Sequence, residues 1–483
     1  MLSYTLDTKY ISKSKEVEEM TDKGPDLSVK FGGLTFPNPI GVGAIGEHWG
    51  HSNSTQEYVD INSDIFMKHV KAGAGYVIMA GTYVTPETER LIQERCQTIE
   101  IPFRRKSKAV GHRMLKIPGK DPYGTEGFFF VPSPFLLDAG FGKFNKDRFA
   151  YMIEAIQKKK PKEVPLVLNL GGIANIAETW VDGAKRFEEL GVDMIEVNLG
   201  CPLPSGLDGT LQGYFQDKYT PLYQGLLMGD NEKYVYEITK AVVDAVKIPV
   251  GVKLTPETGY PRIITMAQAA RSAGAKFVQM FNAAVGMAPP DIYNGGKPQW
   301  PYMDGSPFCM VSGSFLRVPC YKDVAAVKRF VPGLDIAAAG GLVEPEHFIE
   351  AMMLGASLVQ PCTGIIEQGN SLIRKGINFM KRFVTEQGYG SLQEIVGLGQ
   401  QYIKYNQDLD MMAGKTIINI DREKCIRCQR CVDNVCQALY TTEGGHVHVD
   451  PHRCVGCGGC TLACRNDALK VVLREGVSEP NFF

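Results

Sequence analysis

An α/β fold, a (β/α)8 barrel followed by a small cysteine-rich domain, is the architecture this sequence predicts. Three observations predict it. Strand-like apolar runs alternate with helical runs eight times between Pro39 and Gln360, the rhythm of parallel strands with helical crossovers. Eight such units match a barrel with insertions; a doubly wound sheet is the competing architecture. Finally, eight of the 13 Cys crowd into Cys425–Cys464, a clustering that points to metal rather than disulfides in a cytosolic chain.

Composition bounds the function. At 483 residues the chain needs two or three domains. Its formal net charge of −1, with 22% charged residues, gives no reason to expect nucleic acid or an anionic membrane as a partner. No run of about 18 apolar residues occurs, so no membrane span is expected. The polar start, Met1 to Gly24, lacks the apolar core of a signal peptide, and a cytoplasmic location follows as an expectation.

Taken in order, residues 1–25 read as an arm and 26–370 as the barrel. Residues 371–414 read as a helical linker and 415–483 as the cysteine-rich domain. Leu27–Phe36 reads as a hairpin turning at Gly32–Gly33. The barrel strands are Pro39–Ala44, Tyr76–Met79, Pro165–Leu170, Met194–Asn198, Val250–Leu254, Phe277–Asn282, Leu334–Ala338 and Ser357–Gln360. Helices fall between them at Asp147–Lys158, Ala184–Leu190, Tyr234–Val246, Ile263–Ala273, Val324–Phe330 and Glu346–Leu354. Two excursions, Glu87–Phe144 and Pro202–Asp230, leave the carboxyl ends of strands and suit active-site loops, or for the first a dimer contact. Helices are also expected at Ser371–Glu386 and near Leu392–Tyr405.

The Met194–Asn198 strand runs into Leu199–Gly200–Cys201–Pro202. It leaves a thiol at the carboxyl end, where parallel α/β folds place ligands. In the cysteine-rich domain, Cys425, Cys428, Cys431 and Cys436 form one group, and Cys454, Cys457, Cys460 and Cys464 a second. Evenly spaced Cys triplets with a fourth Cys beyond are the ligand pattern of bacterial two-cluster [4Fe–4S] ferredoxins, in which the fourth Cys serves the other cluster. That rule groups Cys425, Cys428, Cys431 and Cys464, and groups Cys454, Cys457, Cys460 and Cys436. The first group has four residues before its last Cys rather than three, and Gln437 and Arg465 stand where Pro is usual. Zinc ligands come as pairs rather than triplets.

A barrel wired to two such clusters needs a cofactor that exchanges both electron pairs and single electrons, which points to flavin. Gly340, Gly341, Cys362, Thr363 and Gly364 end the last two strands, where barrels hold phosphate on backbone N–H groups. Lys253 ends the fifth strand, where a cation could stabilise a reduced flavin.

These residues carry a resemblance. Asn-Leu-Gly-Cys-Pro at 198–202, Lys-Leu-Thr-Pro at 253–256, Val-Ser-Gly-Ser at 311–314, Ala-Gly-Gly at 339–341 and Cys362–Thr363 resemble the FMN domain of the dihydroorotate dehydrogenase superfamily. With the ferredoxin behind it, the chain is similar over about residues 26–475 to the dihydropyrimidine dehydrogenase family. The similarity is to its C-terminal half or its bacterial pyrimidine-binding subunit. The resemblance implies FMN, two [4Fe–4S] clusters, and oxidation or reduction of a C=C bond conjugated to a carbonyl. Cys201 would then be the catalytic acid/base, Asn198 and Asn282 would bind the substrate, and Gly43, Ala44 and Lys253 would border the flavin. Gly313, Gly340, Gly341, Cys362 and Thr363 would hold its phosphate. It also implies an electron-transfer partner subunit, flavin- or NAD(P)-binding or ferredoxin-like, and an oligomer. The chain departs from the family at Gly200, where Ser is common, at Ala283, where Thr is common, and at Ala80–Gly81, where a Lys is usual. The loop after Cys201 also differs, and Tyr214, Tyr219 or Tyr223 could cover the site instead. The alternatives are an electron-transfer subunit with little chemistry of its own, or a reductase of a non-pyrimidine ring.

Gly41-Val-Gly43-Ala-Ile-Gly46 matches a dinucleotide fingerprint, but no helical apolar period follows it. Cys96, Cys309 and Cys320 lack partners at ligand spacing and read as packing. His48 and His51 make at most a weak metal pair.

Overall fold

The computed structural model describes residues 24–44, 54–88, 90–91, 113–118, 125–131, 147–172, 176–200, 226–287, 289–297, 308–404, 414–433 and 436–478. It separates into two compact units, residues 1–400 and 401–483.

The first unit opens with the expected hairpin, β1 (Val29–Phe31) against β2 (Leu34–Phe36). Seven parallel strands follow: β3 (Val77–Gly81), β6 (Leu166–Leu170), β7 (Met194–Asn198), β8 (Val250–Lys253), β9 (Phe277–Met280), β12 (Asp335–Ala338) and β13 (Leu358–Val359). Their order is β13-β12-β9-β8-β7-β6-β3. The eighth member is the segment 39–43. It bridges both open edges, Ile40 pairing with Val359 and Gly41 with Tyr76. Gly41 N–H donates to Val359 O (3.0 Å), and Gly75 N–H donates to Ile40 O (2.8 Å). The sheet therefore closes into the predicted barrel. Its strands are near-continuous apolar runs, as expected where both faces are covered.

Helices α1 (Thr55–Lys71), α2 (Arg148–Lys159), α3 (Ala177–Glu189), α4 (Glu232–Ala245), α5 (Arg262–Ser272), α6 (Arg317–Phe330) and α7 (Pro345–Leu354) form the outer layer. Each sets its apolar stripe inward; α2, for example, buries Phe149, Met152, Ile153 and Ile156 at helical spacing. Cys201 and residues 202–225 of the second, Gly- and Tyr-rich excursion lie outside the described residues; the excursion ends in the short helical turn Leu226–Gly229. The first excursion supplies β4 (Arg113–Pro118) and β5 (Thr125–Val131). These join β10 (Ala284–Met287) and β11 (Phe308–Ser312) in an antiparallel sheet ordered β10-β11-β5-β4. The strand pair β10–β11 is an insertion that the sequence reading leaves unassigned.

Residues 371–414 divide between the units. Beyond α8 (Thr363–Gln368), helix α9 (Ser371–Gln387) packs on α7 and α8. It buries Leu372, Ile373, Met380 and Val384 completely. After it come two 3-10 turns, Leu392–Ile395 and Leu398–Tyr402, instead of one helix. Because α9 is part of the barrel's packing, Leu372→Ala is expected to destabilise the chain by about 2–5 kcal/mol. The exposed change Lys381→Ala should stay within about 0.5 kcal/mol. Denaturant melts of both variants check this.

The second unit is built from two like halves. In the first, β14 (Thr416–Ile420) leads to the first Cys loop and β15 (Leu439–Thr441). In the second, β16 (Val447–Val449) leads to the second loop and β17 (Leu469–Leu473). The halves interlock, β14 pairing antiparallel with β17 and β15 with β16. Asp421 N–H donates to Ala468 O (2.8 Å) and Asp450 N–H donates to Ala438 O (2.7 Å), the same bond in each direction.

Candidate active site and cysteine loops

The carboxyl ends of β7, β8 and β9 line up three polar residues. Asn198 is in register with Lys253, and Lys253 with Gln279. Register partners in a parallel sheet share a face. Lys253 is only 6% exposed. Among the described residues it has no ion-pair or hydrogen-bond partner; its nearest charge influence is on Glu196 and Cys362. Asn198 Oδ1 and Gln279 Oε1 are buried with no hydrogen-bond partner among the described residues. A buried cation between two unmet acceptors leaves polar groups that only a ligand or ordered water would satisfy.

Behind this row lies a polar chain. Glu196 Oε1 accepts from Asn169 Nδ2 (2.5 Å), and Asn169 Oδ1 accepts from Asn198 Nδ2 (2.8 Å). Gln360 Nε2 approaches Glu196 Oε2 at 3.5 Å. Burial pushes the Glu196 carboxyl up; Lys253 and the Asn169 and Gln360 amides pull it back. Gln279 Nε2 donates to Phe281 O (3.2 Å).

Asn282 is drawn inward as a brace. Its Nδ2 donates to Gly200 O (3.0 Å), and its Oδ1 accepts from Ala283 N–H (3.0 Å). That ties the end of β9 to the residue just before Cys201. Gly200 is also sterically fixed. A Cβ there would sit 2.3 Å from Leu254 O, so the departure from Ser reflects a close crossing of two backbones.

The other flavin-side positions converge around three segments. Ser312 Oγ lies 2.8 Å from Thr363 Oγ1. Gly341 has φ +70°, and a Cβ on it would meet Arg317 N at 2.4 Å and Ser314 O at 2.7 Å. Only glycine combines that conformation with that approach. Gly340 precedes it at φ +117°, and Gly313 is extended. Gly43 sits in the closing strand, its N–H donating to Pro361 O (3.2 Å) and its Cα face toward Cys362. Ala44 follows, half-buried. Burial pushes the Cys362 thiol up to about 11, with Lys253 opposing, so it stays protonated at neutral pH. The buried cation, the two unmet acceptors and these glycine approaches fit a flavin mononucleotide. Lys253 would meet its ring, and the loops 312–314, 340–341 and 362–363 its phosphate.

Asn169, Glu196 and Gln279 are not singled out by the sequence reading. The signal was there: Asn169, Glu196 and Gln279 interrupt otherwise apolar strands, Leu-Val-Leu-Asn-Leu, Met-Ile-Glu-Val-Asn and Phe-Val-Gln-Met. A polar side chain in a doubly covered strand must be satisfied by something.

In the second unit a cavity is lined by Cys425, Cys428, Cys431 and, from the other half, Cys464. The thiols that bear on Cys460 are Cys436, Cys431 and Cys454. The fourth Cys of each run thus sits beside the opposite triplet. The extra residue before Cys436 is offset after it. Ala438 follows Cys436 by two positions and Ala468 follows Cys464 by four, yet both N–H groups donate to that Cys Sγ, at 3.4 and 3.2 Å. The loops turn through positive φ at equivalent places, Arg427 and Gln429 in the first half and Gly456 and Gly458 in the second. Eight thiols in two such groups fit two [4Fe–4S] clusters.

Comparison with known proteins identifies both domains. A family model described as dihydroorotate dehydrogenase matches residues 129–383. The chain belongs to the dihydroorotate dehydrogenase family. Members of this family use FMN. A 4Fe-4S dicluster domain matches residues 417–465 of this family member. Similar proteins include the NAD-dependent dihydropyrimidine dehydrogenase subunit PreA of Escherichia coli K12, 26% identical over 297 residues, covering 61% of this chain and 66% of the relative. The catalytic subunit of dihydroorotate dehydrogenase B (NAD(+)) from Pyrococcus abyssi is 29% identical over 306 residues, covering 62% and 91%. That from Methanocaldococcus jannaschii is 32% identical over 224 residues, covering 46% and 64%. The chain thus spans just under two thirds of the length of the PreA relative. No helix among the described residues is long and apolar enough to cross a membrane.

Two outcomes test the site. Gly200→Ser should displace the Asn198–Cys201 segment and lower turnover by about tenfold or more, while thermal stability falls by about 1–3 kcal/mol. Cys464→Ser should remove about half of the protein's iron, because its thiol serves the first triplet; iron analysis and electron paramagnetic resonance read this.

Proposed function

We propose that this chain is an FMN- and iron–sulfur-dependent oxidoreductase that reduces or oxidises a C=C bond conjugated to a carbonyl, in the manner of dihydropyrimidine dehydrogenase. The observation that carries this reading is the buried Lys253 between two unmet acceptors, in register with Asn198 at the end of the neighbouring strand that leads into Gly200–Cys201. When bound, FMN supplies hydride exchange with carbon, and the clusters supply single-electron transfer.

The protein's own groups do the rest. Cys201 gives a proton to the carbon next to the one that exchanges hydride, or takes one from it. A thiol with an ordinary pKa of roughly 8.5 can act in either direction. Asn282 holds the residue before that thiol in place through Gly200 O. Lys253 offsets negative charge on the ring system it faces. Asn198 orients the substrate or the flavin ring against it.

Electrons pass between the barrel and a partner subunit through the two clusters. The partner is a flavin- or NAD(P)-binding or ferredoxin-type protein. Cys428 and Cys457 are exposed, which suits a cluster edge open to such a partner. The substrate class is a conjugated ring carbonyl, with a pyrimidine base as the leading member. We assign residues 26–400, with α9 packed on the barrel, to the FMN unit and 415–483 to the cluster domain.

Uracil or thymine, or another compound from a panel of enones and aromatic acids, should bleach or restore the flavin absorbance. Cys201→Ala should lower turnover by about 100-fold or more with flavin and iron content unchanged. If no such compound perturbs the flavin and Cys201→Ala turns over normally, the chain is an electron carrier instead.

A further inference from the structure

The polar chain beneath the site has a direction. At its start a carboxyl oxygen accepts and an amide nitrogen donates. Glu196 accepts from Asn169 Nδ2, so the Asn169 carbonyl must face the next residue. There it accepts from Asn198 Nδ2. The Asn198 amide has then committed its donor end inward, and its Oδ1 is the buried atom left without a partner. Glu196 and Asn169 are 1% and 3% exposed, so water does not compete for these bonds. Gln279 repeats the pattern two strands away. Its Nε2 is used by Phe281 O, and its Oε1 is left unmet.

We propose that Glu196 and Asn169 are positioning residues that lock the Asn198 amide with its carbonyl toward the ligand, so that the ring bound there must present an N–H at that point. With Lys253 in the adjacent register position, the matching edge is a lactam, an N–H beside a C=O. Two rings offer one: a pyrimidine-type substrate and the isoalloxazine itself. This inference rests on the reading of the barrel mouth given above. It adds that an amide is held in one of its two orientations by residues that touch neither ring.

Two titrations test it on the full-length protein. In the first, the holoprotein is titrated with uracil, 1-methyluracil, 3-methyluracil and 1,3-dimethyluracil, followed by flavin absorbance. In the second, protein stripped of flavin is titrated with FMN and 3-methyl-FMN, followed by fluorescence quenching. Replacing N–H by N–CH3 should weaken binding roughly tenfold or more in at least one arm, since the buried carbonyl loses its donor. The arm that responds identifies the ring. In Asn169→Leu and Glu196→Gln the Asn198 amide can turn over, and the discrimination should shrink to within about threefold. Asn169→Asp keeps an acceptor against Asn198 Nδ2 and should retain it. Glu196→Gln is the gentler change and serves if Asn169→Leu does not fold.

Methyl groups tolerated in both arms, or discrimination unchanged in Glu196→Gln, would overturn the inference while leaving an FMN enzyme in place. Failure of FMN itself to bind would sink the reading of the barrel mouth as well.

Discussion

Lys253 is a cation where water hardly reaches, with no carboxylate in ion-pair contact among the described residues. Burying an ammonium in that way is unfavourable unless something offsets the charge. Glu196 is close enough to feel it but is engaged by Asn169 and Gln360. Much of the barrel's mouth follows from this constraint. The register partners on either side of Lys253, Asn198 and Gln279, are amides whose donors are used within the protein and whose carbonyl oxygens are unmet among the described residues. Only a ligand or ordered water would satisfy those oxygens.

Most of the fold was legible in the sequence because the barrel's strands are doubly covered and so read as apolar runs of consistent length. Seven of the eight expected strands are found, with helices between them, and the eighth segment, 39–43, closes the ring through isolated bridges; Ala184–Leu190 proved to be the second half of α3. What escaped was of two kinds. The strands β10 and β11 belong to an insertion whose pairing partners come from a distant excursion, so no local period announces them. Helix α9 was read as a linker although its Leu372, Ile373, Met380 and Val384 follow helical spacing; a stripe that seals a barrel cannot be told by pattern from one that links domains.

The site was legible at its motifs and illegible between them. Gly341 and Gly43 were picked from strand ends, and the structure puts them in tight approaches. Gly200 looked like a lost polar contact, whereas the chain crosses Leu254 O too closely for any side chain. Asn282 looked like a substrate ligand, and its amide is largely used to brace Gly200. Cys201 and the aromatic loop beyond it lie outside the described residues. The irregular spacing before Cys436 reads from sequence as a local loop change. It is matched by a shorter stretch after it, which returns Ala438 to the place Ala468 holds in the other half.

The strand that closes the barrel has a consequence for how the chain comes to be folded. Segment 39–43 is synthesised early, and one of its neighbours, Tyr76, follows at once. The other, Val359, emerges roughly 300 residues later, so this pairing carries a large closure entropy and forms late. Until then the growing sheet has two raw apolar margins, of the kind that invites association between nascent copies. A ribosome-bound intermediate truncated before β13 should therefore be the species most in need of chaperone protection during production of this protein.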